Sequence, residues 1–284
     1  MSKAKTKNAT FRQELSKILS KTERGNAVFG FDVLGKMALI EIPQKLQKKK
    51  KRIGKILLQT NPSIDRVYEK VGTHSGKYRI EKIRWLAGEK NPETIHRESG
   101  CLFYVNPNVV FFNSRFGTER IRIASKIKKN QKVVVFFAGV CPYPVVLAKH
   151  SPVQKILAIE WNKKAVPYAR KNILLNKAEN RVDFLLGDVG KIKPIPEFDH
   201  IVMPAPETAL NYLGKALEWL SKKGGFIHVY FFVSEKNWKK DSEDLLFSLL
   251  KKWKRKTGII EVRKVSAFSS SKVQVCAEVR VQRV

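Results

Sequence analysis

The chain has 284 residues, and 56 lysines and arginines outnumber 25 aspartates and glutamates, which gives a formal net charge of +31. This length allows two domains with sizeable cores. So large a positive charge favours a polyanionic partner, with nucleic acid as the first candidate and an anionic membrane surface as the second. The sequence contains no long apolar span, signal peptide or lipidation motif, so we expect no membrane association and a cytoplasmic location.

Cysteine and histidine usage argues against a metal site. The three cysteines, Cys101, Cys141 and Cys276, are far apart in the sequence, and the five histidines form no HxxxH-type cluster. Neither pattern has metal-ligand spacing. A reduced, cytosolic compartment is therefore the simplest expectation, and we expect no bound metal.

Residues 1–25 form a basic, polar N-terminal segment. Phe11, Leu15 and Ile18 recur on one face of a short helix, which Gly25 can end. Such a segment could be an RNA-contacting arm or a frayed terminus.

Residues 26–108 read as a small α+β domain with an antiparallel sheet and a very basic rim. The run MALIEI predicts a strand that Pro43 stops, and the following lysine-rich helix has a buried side at Ile53 and Leu57. Its lysine run, Lys48–Lys51, is typical of a solvated helix face. Further strands are predicted at 65–71, 77–86 and 100–105, with a turn at 96–100 and a domain boundary at 106–108.

Residues 109–284 alternate strands with helices. Thr118 is predicted to cap a helix whose first turn contains Glu119, where the helix dipole favours a negative charge. The order that follows predicts an α/β sheet with helical crossovers and an antiparallel end. The predicted strands are 133–137, 156–159, 180–186, 199–203, 225–233, 259–265 and 272–281, and the predicted helices are 144–150, 163–179, 208–220 and 242–252.

The stretch around the first of these strands predicts a ligand site. A buried strand at 133–137 is followed by the small residues Ala138 and Gly139, which let a ligand approach the backbone. Glu160 ends the next strand, where an acid can accept from both ribose hydroxyls of a nucleotide-type cofactor. Asp188 follows the third strand. The alternative is an ordinary strand–helix–strand unit with a surface glutamate.

An ordered set of motifs carries a family resemblance: FDVLGKMALIEIP, YRIEKIRWLAGE, SRFGTERIRIA, FAGVCPY and LLGDV. From about Phe31 onward the chain resembles the archaeal/eukaryotic-type tRNA (guanine-N1)-methyltransferases that act 3′ to the anticodon and are related to wyosine-biosynthesis enzymes. The resemblance implies a class I (Rossmann-like) α/β methyltransferase domain at 109–284, preceded by a smaller α+β RNA-binding domain at 26–108. It further implies S-adenosyl-L-methionine as the cofactor and the tRNA anticodon loop as the partner. We expect a monomer.

The resemblance also implies roles for individual residues. Glu119 matches the general base that would accept the N1 proton of guanine. Arg79 matches an arginine that would stabilise charge developing at guanine O6, and Arg115 and Arg120 fall in the region that faces the RNA substrate. The positions that match the family's cofactor site are Phe111, Ala138, Gly139, Pro142, Glu160 and Asp188.

The cofactor motifs depart from the family pattern at several positions. Val135 replaces an acid, Cys141 a glycine and Phe111 an aromatic hydroxyl, while Pro204 stands where the family has an asparagine. Proline cannot supply the donors and acceptors of an asparagine side chain. Two alternatives therefore stay open. One is a wyosine-pathway transferase that moves the aminocarboxypropyl group of the same cofactor. The other is a non-catalytic tRNA-binding protein on a degenerate methyltransferase fold.

Overall fold

The computed structural model divides into two compact units. The first comprises Met1–Arg97 and Leu102–Ser114, and the second comprises Glu98–Cys101 and Arg115–Val284. The sequence predicts a boundary at 106–108, whereas the units divide after Ser114. The structure describes residues 10–27, 29–72, 80–253 and 255–283.

A four-stranded sheet organises the first unit. Its strands, in the spatial order β1-β2-β3-β4, are β1 (Phe31–Leu34), β2 (Met37–Ile40), β3 (Arg66–Lys70) and β4 (Ile83–Gly88). The outer pairings are antiparallel, but β2 and β3 are parallel. The expectation of an antiparallel sheet is therefore wrong at its centre, because a helical connection joins β2 to β3 and returns the chain to the same end of the sheet.

The core of this unit contains apolar side chains from two of its helices, α1 (Phe11–Ile18) and α3 (Lys50–Thr60), whereas α2 (Lys21–Gly25) has no buried residue. Phe11 and Leu15 of α1 share one buried cluster with Ile53 and Leu57 of α3. The predicted buried faces are confirmed, and α1 belongs to the core of the unit rather than to a frayed end.

A separate hairpin follows, made of β5 (Thr94–Glu98) and β6 (Cys101–Val105). Ser99 and Gly100 connect them with φ angles of 47° and 67°. Two successive residues with positive φ are the signature of a type I′ hairpin turn. The predicted turn at 96–100 is therefore too long, since the strand continues to Glu98.

A seven-stranded sheet organises the second unit, in the order β12-β13-β11-β10-β7-β8-β9. Strands β9, β8, β7, β10 and β11 are parallel, whereas β13 runs antiparallel to β11 and to β12. This confirms the predicted crossover sheet with an antiparallel end. The strands are β7 (Lys132–Phe136), β8 (Lys155–Glu160), β9 (Val182–Leu186), β10 (His200–Met203), β11 (Gly225–Ser234), β12 (Thr257–Ala267) and β13 (Lys272–Val281).

In the described part of this unit, five α-helices accompany the sheet, and Trp219 and Phe136 are fully buried in the resulting core. The helix that begins at Gly117 has Phe116 at its N-cap position, so the predicted cap at Thr118 is wrong. Among the described residues, no helix combines the length and apolarity needed to cross a membrane. The helices are α4 (Gly117–Lys126), α5 (Pro142–His150), α6 (Val166–Leu175), α7 (Leu213–Trp219) and α8 (Trp238–Leu250).

Two buried histidines lie on neighbouring strands of the second unit. His200 Nδ1 and His228 Nε2 are 2.9 Å apart, and His200 Nε2 is 3.0 Å from Gln131 Oε1. Burial lowers the pKa of His200 to about 4 and that of His228 well below its ordinary value. Both rings are therefore neutral at neutral pH, and protonating either one opposes the folded state.

We expect this pair to destabilise the fold in acid. Below the ordinary histidine pKa the unfolded chain binds protons that the folded chain excludes, so the free energy of unfolding falls as the pH falls towards about 4. In urea titrations between pH 7 and pH 4.5, His200→Gln should reduce this loss by about 2 kcal/mol. Identical pH dependence in the variant and the wild type would contradict this interpretation.

Candidate active site

A tight turn between β7 and α5 forms the first part of the candidate site. Phe137, Gly139 and Cys141 have left-handed backbone conformations, with φ angles of 56°, 57° and 65°. Glycine adopts this conformation without steric cost, whereas other residues rarely do. At Cys141 the side chain departs from the family pattern, but the backbone conformation is one that a glycine favours.

Glu160 fastens this turn to the end of β8. Its Oε2 accepts a hydrogen bond from Gly139 N (2.7 Å), and its Oε1 accepts one from Asn162 N (2.8 Å). Burial raises the pKa of this carboxyl group, and hydrogen bonds from the backbone N–H groups oppose the rise. The main chain of Trp161 is a third backbone donor to this carboxylate. Since a carboxylate has about four lone pairs, one remains for a further donor such as a ribose hydroxyl.

Asp188 lies just beyond β9 and is half-buried, and its Oδ1 accepts from Gly190 N (2.9 Å). A side chain added at Gly190 would lie 3.4 Å from the ring of Tyr212. That ring in turn makes an edge-to-face contact with Phe137, with 5.1 Å between the centroids. An aromatic pair therefore stands near Asp188 and could pack against a planar base.

Sequence reasoning missed both members of this pair. The sequence predicts that Phe137 belongs to the strand at 133–137, but β7 ends at Phe136. Its position directly after the strand, in a motif already singled out, is the signal that could have found it. Tyr212 lies in a 3-10 turn that precedes α7, and only the tertiary structure brings it to Phe137.

The Pro204–Pro206 segment follows β10, which pairs with β7 at the centre of the sheet. The Ala205 carbonyl accepts hydrogen bonds from Thr208 N (3.0 Å) and Ala209 N (2.8 Å). The segment is thus held by main-chain bonds. Any cofactor contact there must come from the backbone, since these side chains are apolar.

Glu119 is the second part of the candidate site. It lies in the first turn of α4, is only 7% exposed and meets the Arg122 guanidinium in a bidentate pair, Nη2–Oε1 2.6 Å and Nε–Oε2 2.7 Å. The Tyr230 hydroxyl donates to the same Oε1 at 2.6 Å. Burial disfavours the charged form of Arg122, but its bonds to Glu119 outweigh this effect and raise the pKa of Arg122 above its ordinary value. From the residues that the structure describes, Oε1 thus accepts two hydrogen bonds and Oε2 one, which leaves Oε2 a lone pair for another donor.

The two arginines predicted to face RNA lie in different environments. Arg120 is 2% exposed, forms an ion pair with Glu98 and places its guanidinium 5.6 Å from the centroid of the Tyr143 ring. Arg115, directly before α4, is exposed. Of the two, Arg115 is the one whose side chain lies at the surface of the second unit.

Two other predicted site residues are Phe111, which belongs to the first unit, and Arg79. Phe111 is half-buried and lines a small cavity with Leu34 and Val110. Arg79 lies outside the described residues. Within the described ranges, no group of three histidine, cysteine, aspartate or glutamate side chains converges on a metal-sized site.

The second unit has a mixed seven-stranded sheet, a left-handed turn after β7, an acid at the end of β8 and another just after β9. These features define the class of Rossmann-like methyltransferases. The family comparisons agree with this class. Residues 94–256 match the TRM5/TYW2 methyltransferase domain, and residues 11–91 match the TYW2 N-terminal domain. The chain belongs to the TRM5/TYW2 family.

Curated relatives include tRNA (guanine(37)-N(1))-methyltransferase Trm5b of Pyrococcus abyssi, 36% identical over 72% of this chain and 60% of the relative. The chain thus spans less than two thirds of that relative's length. The tRNA 4-demethylwyosine(37)-methyltransferase Taw21 of Saccharolobus solfataricus is 30% identical over 70% of this chain and 76% of its own length.

Solved structures extend the similarity to nearly the whole chain. Trm5b of Pyrococcus abyssi superposes with a TM-score of 0.87 and 29% identity, over 98% of this chain and 82% of its own. A complex of aTrm5 with tRNALeu gives a TM-score of 0.86 and 28% identity, over 99% and 80%. Methanocaldococcus jannaschii TYW2 in complex with AdoMet gives a TM-score of 0.69 and 25% identity, over 90% and 100%.

We expect Glu160→Gln to destabilise the second unit. A glutamine has one acceptor oxygen for the two backbone N–H groups that the carboxylate now binds, so one buried donor would face the amide NH2 group. The loss should be about 1–3 kcal/mol in the free energy of unfolding, measured by urea denaturation.

Glu197→Gln is the matched control, because Glu197 forms a half-exposed ion pair with Lys132 that should be worth less than about 1 kcal/mol. Equal losses in the two variants would show that the Glu160 hydrogen bonds do not hold the turn.

Proposed function

We propose that this protein transfers a methyl group from S-adenosyl-L-methionine to N1 of the guanosine 3′ to the anticodon of tRNA. The observation that carries this proposal is the Glu160 carboxylate, which is bonded to the Gly139 turn and keeps a lone pair available at the carboxyl edge of the sheet. The relatives support this choice of substrate, since Trm5b of Pyrococcus abyssi is a tRNA (guanine(37)-N(1))-methyltransferase and aTrm5 is solved in complex with tRNALeu.

The residues present fit the cofactor. The backbone of Ala138, Gly139 and Pro142 would line it, Glu160 would accept from its ribose hydroxyls, and Asp188 would accept from its adenine amino group. The Phe137–Tyr212 pair offers an apolar wall for the adenine ring. Bound S-adenosyl-L-methionine supplies an electrophilic methyl group on a sulfonium.

Glu119 is proposed as the base. Methylation of guanine N1 requires loss of the N1 proton, and a carboxylate within hydrogen-bond reach can accept it. The open lone pair on Oε2 is the position for that proton, while Arg122 and Tyr230 keep the carboxylate from rotating. Arg79 is proposed to stabilise charge at O6, and Arg115 to contact the RNA near the target base.

A second candidate acts on a tricyclic base at the same position. Residues 11–91 match the TYW2 N-terminal domain, and Taw21, a 4-demethylwyosine methyltransferase, shares 76% of its length with this chain. Incubation with tRNA carrying either G37 or 4-demethylwyosine, followed by mass spectrometry of the nucleosides, separates the two. The mass added also distinguishes a methyl from an aminocarboxypropyl group.

We expect S-adenosyl-L-methionine to bind with a micromolar dissociation constant in calorimetric titration, with and without tRNA. The departures at Val135, Cys141 and Pro204 leave the turn and Glu160 in place. We therefore expect them to remove about 1–2 kcal/mol of binding free energy, which lowers the affinity for the cofactor roughly tenfold. Titrations that show no heat in either condition, with tRNA still bound, would favour a non-catalytic tRNA-binding protein.

Removing the base should stop methyl transfer. We expect Glu119→Gln to lower the single-turnover rate by about 100-fold or more while tRNA binding persists. A glutamine NH2 group would face the Arg122 guanidinium, so this variant also loses stability. Full activity in the variant would exclude the proposed role.

Two tyrosines provide a cleaner pair of variants. Tyr230→Phe keeps the buried ring and removes only the hydroxyl that binds Glu119, so the rate should fall about tenfold at saturating tRNA and cofactor. Tyr143→Phe is the control. The Tyr143 ring packs beside that of Tyr230, but among the described residues its hydroxyl makes no hydrogen bond to Glu119. Equal rates for these two variants would contradict the proposal that the Tyr230 hydroxyl orients Glu119.

A further inference from the structure

The outward face of α3 carries a row of cations. Lys48 in the 3-10 turn that precedes the helix, and Lys51, Arg52 and Lys55 within the helix, are all exposed. Their spacing of three and four residues places them on one side of a helix. We call these four residues the α3 stripe. The helix itself contains no acidic residue to offset them.

Some lysines around α3 form ion pairs, whereas those of the α3 stripe do not pair with an acid among the described residues. Lys49 pairs with Glu23 at 2.6 Å, and Lys50 pairs with Glu69 at 3.2 Å. Within the part of the chain that the structure describes, the members of the α3 stripe have no acidic partner. The first unit thus supplies acids to the lysines on the flanks of α3 and none to those on its outer face.

The stripe is unfavourable for the helix that carries it. Like charges three and four residues apart repel each other along a helix surface. In addition, Lys51 and Arg52 lie in the first turn of α3, where the helix dipole disfavours positive charge. The repulsion along α3 would be relieved by a polyanion that lies against this face.

The cationic surface continues from α3 to β4, the edge strand of the sheet. The Lys51 ammonium lies 3.9 Å from the centroid of the Trp85 ring and donates to the Trp85 carbonyl at 3.1 Å. The exposed Lys90 places its ammonium 5.1 Å from the same centroid. The indole therefore gathers two ammonium groups around one ring.

We propose that the α3 stripe, with Lys90 beside it, binds the phosphate backbone of tRNA. This inference rests on the proposed function for the choice of tRNA as the polyanion. At 1.5 Å of rise per residue the stripe extends about 10 Å, enough to face about two or three phosphates. Large exposed apolar side chains, which a membrane-surface helix would insert into lipid, are absent from the fully described segment 44–60.

Charge neutralisation at matched sites tests the proposal. The stripe variant combines Lys48→Gln, Lys51→Gln, Arg52→Gln and Lys55→Gln. The control variant changes four exposed lysines on and directly after α8 to glutamine, so that both variants lose the same net charge. These control lysines are Lys239, Lys240, Lys251 and Lys252.

Binding of a full-length tRNA transcript with G37 is measured by fluorescence anisotropy from 0.05 to 0.3 M salt. We expect the stripe variant to bind at least about tenfold more weakly at 0.15 M salt, and its log–log salt slope to be smaller by about 2–3. The control variant should stay within about twofold of the wild type. Relief of repulsion along α3 and loss of the Lys51 contacts to Trp85 oppose each other, so the melting temperature of the stripe variant should stay close to that of the wild type.

Equal losses in the two variants, or no loss in the stripe variant, would overturn the proposal. So would a stripe-dependent binding to phosphatidylserine vesicles without any change in tRNA affinity, which would assign the stripe to lipid. Methyl transfer at saturating tRNA is measured in parallel and should keep its maximal rate in the stripe variant. A wild-type protein that binds tRNA through the stripe but transfers no methyl group would refute the proposed function and leave this inference standing.

Discussion

The candidate site depends on one interaction, the pair of hydrogen bonds that Glu160 accepts from the main chain. One carboxylate oxygen binds Gly139 N and the other binds Asn162 N. These bonds tie the turn after β7 to the end of β8, so a strained, left-handed backbone segment is held where a ligand can approach it. Burying a carboxylate is costly unless its lone pairs are used, and here they serve both the fold and the proposed cofactor.

The same physical constraint explains the environment of Glu119. A buried carboxylate needs donors, and Arg122 and Tyr230 supply them. Those donors fix the orientation of the carboxylate, but they also occupy most of its lone pairs. In the proposed chemistry, the carboxylate would accept a proton only along the direction that remains open.

In the first unit, the acidic residues neutralise some of the lysines near α3 but not others. Acids are few in this chain, with 25 against 56 basic residues, and the structure places them beside lysines that flank α3 rather than beside those on its outer face. In the proposed complex, the tRNA phosphates would neutralise the remaining charge. Long-range attraction of this kind would speed encounter with tRNA and make the affinity depend on salt, while the second unit would determine which base reacts.

The sequence by itself determined most of the order of strands and helices, the two-part organisation and the positions of Glu160 and Asp188 after strand ends. Those features follow from local periodicity and from the rule that parallel strands end at one edge. Only the tertiary structure decided that β2 and β3 are parallel, that Arg120 is buried against Glu98, and that Tyr212 meets Phe137. Each of these joins residues far apart in the chain, or depends on how a helix returns to its sheet. Local patterns record which side chains prefer to be buried, but not which partners they find there.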